Sequence, residues 1–148
     1  MVFCQRRRAV GGGVPLHVME TPELTILGNT VRHPVEHVEV FPAPASVTRV
    51  RFSNDELNSM CPVTLQPDLS TVVIEYVPDQ WCIESKSLKL YLWGFRDRAV
   101  FAEAMAAEIA AEVMNSARPK TVCVTLTQRP RGGIEVQAMA ELAAPPDS

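Results

Sequence analysis

The sequence predicts an α+β domain, an antiparallel ββααββ unit with both helices on one face of the sheet. Three observations carry that prediction. Hydrophobic period two gives way to helical spacing in the middle of the chain and then returns. Alanines crowd the second helical stretch, and a Gly132-Gly133 pair separates the last two period-two segments.

Val47 to Phe52 alternates in period two and suits a strand. Thr71 to Val77 (TVVIEYV) is β-branched and aromatic, is bounded by Asp68 and Pro78, and forms the second strand. Ser85 to Phe95 places Leu88, Tyr91, Leu92 and Phe95 at three- and four-residue spacing, which is helical. A second helix is expected from about Ala99 to Ser116, with Phe101, Met105, Ile109 and Val113 as its apolar stripe. Asn115 and Pro119 mark its end. Thr121 to Thr127 and Ile134 to Ala140 are the last two strands, joined through the Gly-Gly turn. Such a sheet has two open edges, which closed assemblies hide by pairing subunits.

With 148 residues, 47% of them hydrophobic, the chain suits one domain with an ordinary core and no need of disulfides. We read residues 1–20 as a flexible leader, 21–142 as the domain and 143–148 as a disordered tail. The leader has basic residues before a mildly apolar stretch, but three glycines and a proline break that stretch, which disfavours a secretion signal. No apolar run approaches the roughly 20 residues of a membrane helix, so a cytoplasmic protein without membrane partners is expected. A net charge of -3 gives no broad basic footprint for nucleic acid, although local lysines and arginines remain able to hold a phosphate. Cys4, Cys61, Cys82 and Cys123 are scattered without a CxxC, and all three histidines fall in the first quarter, so no metal site is expected.

Two segments say more. Cys61-Pro62-Val63-Thr64-Leu65-Gln66-Pro67-Asp68 puts a thiol in a loop between strands, with a carboxylate seven residues on. An exposed, low-pKa thiol is a nucleophile, and a carboxylate whose pKa burial raises is a proton donor. A buried structural thiol is the competing reading. Glu84-Ser85-Lys86-Ser87-Leu88-Lys89-Leu90-Tyr91 opens a helix, where backbone N–H groups attract anions. Lys86 and Lys89, three apart, share a helix face and either hold a phosphate together or form a solvated basic face.

In order and spacing these segments resemble the QueF family of 7-cyano-7-deazaguanine reductases of queuosine biosynthesis, in its short single-module form. The resemblance runs from about Leu24 to Ala140 and includes Leu27-Gly28-Asn29, Phe95-Arg96, Phe101, Glu103 and Pro130-Arg131-Gly132-Gly133-Ile134. It implies the tunnelling fold (T-fold), in which strands of several subunits close a barrel with active sites at subunit interfaces. It also implies a homo-oligomer of two stacked pentamers.

The implied activity is NADPH-dependent reduction of a nitrile to an aminomethyl group. The resemblance makes Cys61 the nucleophile that forms a covalent thioimidate and Asp68 the proton donor. It assigns Glu103 and Phe101 to the deazaguanine, joined by Glu84 and Ser85 from a neighbouring subunit. Lys86, Lys89 and Arg131 are expected at the NADPH phosphates. One departure matters: the family has Phe-His-Glu where this chain has Phe101-Ala102-Glu103. If the imidazole is simply lost, restoring it raises turnover; if the pocket is rebuilt around alanine, a larger side chain clashes. The departure keeps two alternatives open, an amidinotransferase-like enzyme that adds nitrogen to the same thioimidate, and a weakly active or non-catalytic relative.

Overall fold

The computed structural model describes residues 21–146. The elements are β1 (Val40–Pro42), β2 (Val50–Met60), β3 (Pro67–Val77), β4 (Trp81–Ile83), α1 (Ser85–Trp93), α2 (Ala102–Ala117), β5 (Thr121–Arg131) and β6 (Ile134–Ala143). An antiparallel sheet of order β2-β3-β5-β6 carries the domain, and β1 and β4 pair in a small second sheet. One face of the large sheet is apolar. Val72, Ile74 and Tyr76 of β3 and Val122, Val124 and Leu126 of β5 form one core with Leu88, Tyr91 and Leu92 of α1 and Met105, Ile109 and Val113 of α2. The α+β expectation and the placement of both helices on one face therefore hold. Among the described residues no helix is long and apolar enough to cross a membrane.

Several boundaries differ from the sequence expectation, each for a physical reason. β2 is eleven residues long because its register shifts between Asn54 and Leu57. The extra residue keeps Leu57 and Ser59 on the core side, and it breaks the period-two signal that would have revealed the strand. β3 begins at Pro67, so Asp68 is a strand residue rather than a loop residue. β1 and β4 have three residues each, too few to show a period. α1 ends at Trp93. α2 starts at Ala102, not Ala99, because the preceding backbone is engaged with β2: Met60 N–H donates to Arg98 O at 2.8 Å and Val100 N–H to Met60 O at 3.3 Å. Phe101 therefore caps α2 and is 57% exposed instead of heading its apolar stripe.

β5 reaches Arg131, and a second register shift accommodates Pro130, which has no N–H to give the ladder. Gly132 and Gly133 follow with φ of 58° and 78°, the left-handed pair that a two-residue hairpin turn requires. β6 extends through Ala143, and Ala144 N–H donates to Lys120 O, so pairing enters the segment read as a tail. The leader, 1–20, lies outside the described residues, as do residues 147 and 148.

Candidate active site

The β2–β3 turn closes on itself around Cys61. Cys61 N–H donates to Gln66 O at 2.8 Å and Leu65 N–H donates back to Cys61 O at 2.9 Å, with Leu65 at a φ of 56°. This winding directs donors at the sulfur. The Thr64 hydroxyl, the Thr64 and Val63 backbone N–H groups and the Arg131 guanidinium, in that order of effect, bring the thiol pKa down to about 7. Cys61 is 7% exposed, yet its cover is its own loop, and burial is the weakest influence on its ionisation. Donors around the sulfur favour its thiolate form, the form in which a cysteine reacts.

Beside it the apolar core row turns polar. Ser59 and Ser70 are fully buried, Asp68 is 2% exposed and Gln128 5%. Register places Ser59 opposite Asp68 and Ser70 opposite Gln128. Arg131 joins the cluster from the Gly-Gly turn, pairing through Nη1 with Asp68 Oδ1 and donating from Nη2 to Gln128 Oε1 at 3.2 Å. Asp68 Oδ1 is held by the ion pair alone, and the Ser59 and Ser70 hydroxyls have no hydrogen-bond partner among the described residues. Buried polar groups are almost always satisfied, so unmet capacity next to a nucleophile marks a place for polar ligand atoms.

The third wall comes from the approach to α2. Ala99 bridges Met60 in parallel, which ties the segment entering α2 to the end of β2 just before Cys61. Arg98 fixes the approach by a bidentate pair with Glu108, at 2.6 and 2.8 Å, while stacking on Phe95 at 4.7 Å. Phe101 and Glu103 present exposed side chains, whereas Ala102 is 3% exposed and belongs to the core. Ala102→His is therefore expected to overpack the core, destabilising by about 1–3 kcal/mol without raising kcat. Thermal melting beside steady-state kinetics tests this; a gain in turnover at unchanged Tm would contradict it.

The helical motif lies elsewhere. Ser85 lines a cavity with Phe52, Ser53 and Asn54, some seven to nine residues up β2 from Cys61, on the order of 20 Å of strand. Within one chain Glu84, Ser85, Lys86 and Lys89 are thus not part of the Cys61 cluster. The N–H groups expected to bind an anion are already engaged: the Glu84 carboxylate accepts from Lys86 N–H at 2.8 Å and Ser87 N–H at 2.7 Å. Lys86 was expected at a phosphate beside Lys89, but its ammonium donates to Ile26 O at 2.9 Å and to Asn29 O. Glu39 completes that clamp, accepting from Thr25 N–H and Ile26 N–H. Lys89 remains exposed, without a carboxylate within 4 Å among the described residues, which fits a phosphate ligand. Arg131, also expected at the cofactor, sits at Asp68. Sequence reasoning missed Ser59, Ser70, Gln128 and Thr64; of these only Thr64 lay inside a motif.

Cys61, Asp68 and Arg131 thus meet at one end of the antiparallel sheet, the thiol surrounded by donors and the buried carboxylate paired with a half-exposed guanidinium, an arrangement suited to cysteine chemistry. The model of the QueF-like protein family matches residues 67–147. The chain is 38% identical over 130 residues to the NADPH-dependent 7-cyano-7-deazaguanine reductase of Granulibacter bethesdensis, covering 84% of this chain and 85% of that one. It is 39% identical to the reductase of the same name from Rhizobium rhizogenes, covering 84% of each chain. The Alkalilimnicola ehrlichii reductase is 40% identical over 116 residues, 76% of this chain and 88% of its own. The crystal structure of the archaeosine synthase QueF-Like in its apo form superposes with a TM-score of 0.63 at 27% identity, over 68% of this chain and 99% of that one. The chain belongs to the QueF family.

Proposed function

We propose that the protein is an NADPH-dependent 7-cyano-7-deazaguanine reductase acting in queuosine biosynthesis through a covalent Cys61 thioimidate. The observation that carries the mechanism is the convergence of Cys61, Asp68 and Arg131. The Cys61 sulfur adds to the nitrile carbon, and the thiol proton passes by way of Asp68 to the nitrile nitrogen, giving a neutral thioimidate. Arg131 compensates negative charge on the sulfur and the carboxylate while that proton moves. Ser59 and Ser70 add buried hydroxyls beside Asp68 and Gln128, and the covered thiol keeps off water that would hydrolyse the adduct. NADPH, when bound, supplies hydride, two per nitrile carried to the amine. Phe101 lies against the ring of the base and Glu103 accepts from its N–H groups.

On this reading Glu84 and Ser85, remote from Cys61 within one chain, act on the substrate from a second copy, in a tunnelling-fold barrel of stacked pentamers. Outer strands β2 and β6 leave open edges, and exposed Val63, Leu65, Ile134 and Met139 flank them. A cytoplasmic location fits a thiol that must stay reduced. The amidinotransferase-like alternative is disfavoured, because identity to the named reductases, 38 to 40%, exceeds the 27% to the archaeosine synthase relative.

Because only the thiolate reacts, alkylation of Cys61 by iodoacetamide is expected to accelerate as pH rises through about 7 and then to level off. Thr64→Val removes the strongest donor and shifts that midpoint upward, toward an ordinary thiol. Peptide mass mapping follows Cys61 separately from Cys82 and Cys123. A midpoint that stays in place in Thr64→Val would show that the hydroxyl does not tune the sulfur.

A further inference from the structure

Between α1 and the bulged stretch of β2 runs a groove of about 630 Å³, lined by Arg32, Lys89, Arg96, Trp93, Glu56 and Asn58 among others. Three cations face one carboxylate there. None of the three has a carboxylate within 4 Å among the described residues. Uncompensated like charges around one cavity attract an anion, and two guanidinium groups suit the planar, bidentate recognition of a phosphate. Trp93, 39% exposed, gives the same groove an aromatic face on which a flat base can stack. At its other end Asn58 is three residues from Cys61 along β2, about 10 Å of strand.

We propose that this groove is the subsite for the adenosine 2′-phosphate of NADPH, with Arg32 and Arg96 on the phosphate, Lys89 on the pyrophosphate and the adenine on Trp93. The inference rests on the reductase reading. It assigns cofactor discrimination to two arginines outside the motif lysines, because a phosphate monoester carries more charge than the diester links NADPH shares with NADH.

Calorimetry on the full-length protein with adenosine 2′,5′-bisphosphate and adenosine 5′-monophosphate tests the subsite without turnover. The bisphosphate is expected to bind much more tightly and to quench tryptophan fluorescence, a signal lost in Trp93→Phe. Arg96→Gln should weaken bisphosphate binding about 10- to 100-fold, the loss of a charge-assisted hydrogen bond. Arg32→Gln acts in the same direction, and Arg96→Lys, which keeps the charge, retains part of the affinity. The monophosphate should lose little in each variant, as should NADH. Equal affinity for the two nucleotides, or a bisphosphate affinity indifferent to both arginine substitutions in variants with wild-type melting, overturns the subsite. If the bisphosphate results hold but NADPH is not oxidised with the nitrile, the reductase reading fails and the subsite stands. If NADPH is oxidised but the arginine variants bind like wild type, the subsite fails and the reductase reading stands.

Discussion

Cys61→Ala is expected to lower nitrile-dependent NADPH oxidation by about 10⁴-fold or more, since no other group in the pocket replaces the thiolate. Intact mass spectrometry of wild type with 7-cyano-7-deazaguanine alone should show one added substrate mass per chain, absent in the variant. Melting should change little, because the sulfur is wrapped by its own loop and contributes little to the core. An adduct that persists in Cys61→Ala and disappears in Cys82→Ala or Cys123→Ala would move the nucleophile elsewhere.

Asp68→Asn carries the second large effect. The amide keeps the shape of the buried side chain but cannot relay a proton, so kcat should fall about 10²- to 10⁴-fold. KM for the nitrile should move much less if, as proposed, Phe101 and Glu103 hold the ring. The variant also leaves the Arg131 guanidinium without its partner, and a modest fall in Tm is expected with it. The diagnostic is the split between kcat and KM, together with slower adduct formation before any hydride transfer. An unchanged rate of adduct formation would assign the proton to another donor.

Much of this was legible in the sequence, and the exceptions share a cause. The helices showed because Leu88, Tyr91 and Leu92, and Met105, Ile109 and Val113, repeat at short spacing and meet the sheet on one side. The hairpin at Gly132-Gly133 showed because only glycine accepts two left-handed residues readily. Cys61 and Asp68 were visible as a motif, but the guanidinium between them was not, since Arg131 lies 63 residues from Asp68 and arrives through a bulge. The partners of Lys86 were hidden for the same reason: they are carbonyls of Ile26 and Asn29, about 60 positions away, which no local pattern announces. Ala102 is the clearest case. Read along the chain it is a missing imidazole, whereas in the fold it is a methyl group packed into the core at the first turn of α2.

Nitrile reduction at this site is tested most directly by the stoichiometry of NADPH oxidation against product formed from 7-cyano-7-deazaguanine. Oxidation that requires the nitrile, with two NADPH consumed for each aminomethyl product and none without substrate, is the predicted result. A Cys61 adduct that forms without consuming NADPH and resolves to an amidine when ammonia or glutamine is supplied would contradict it.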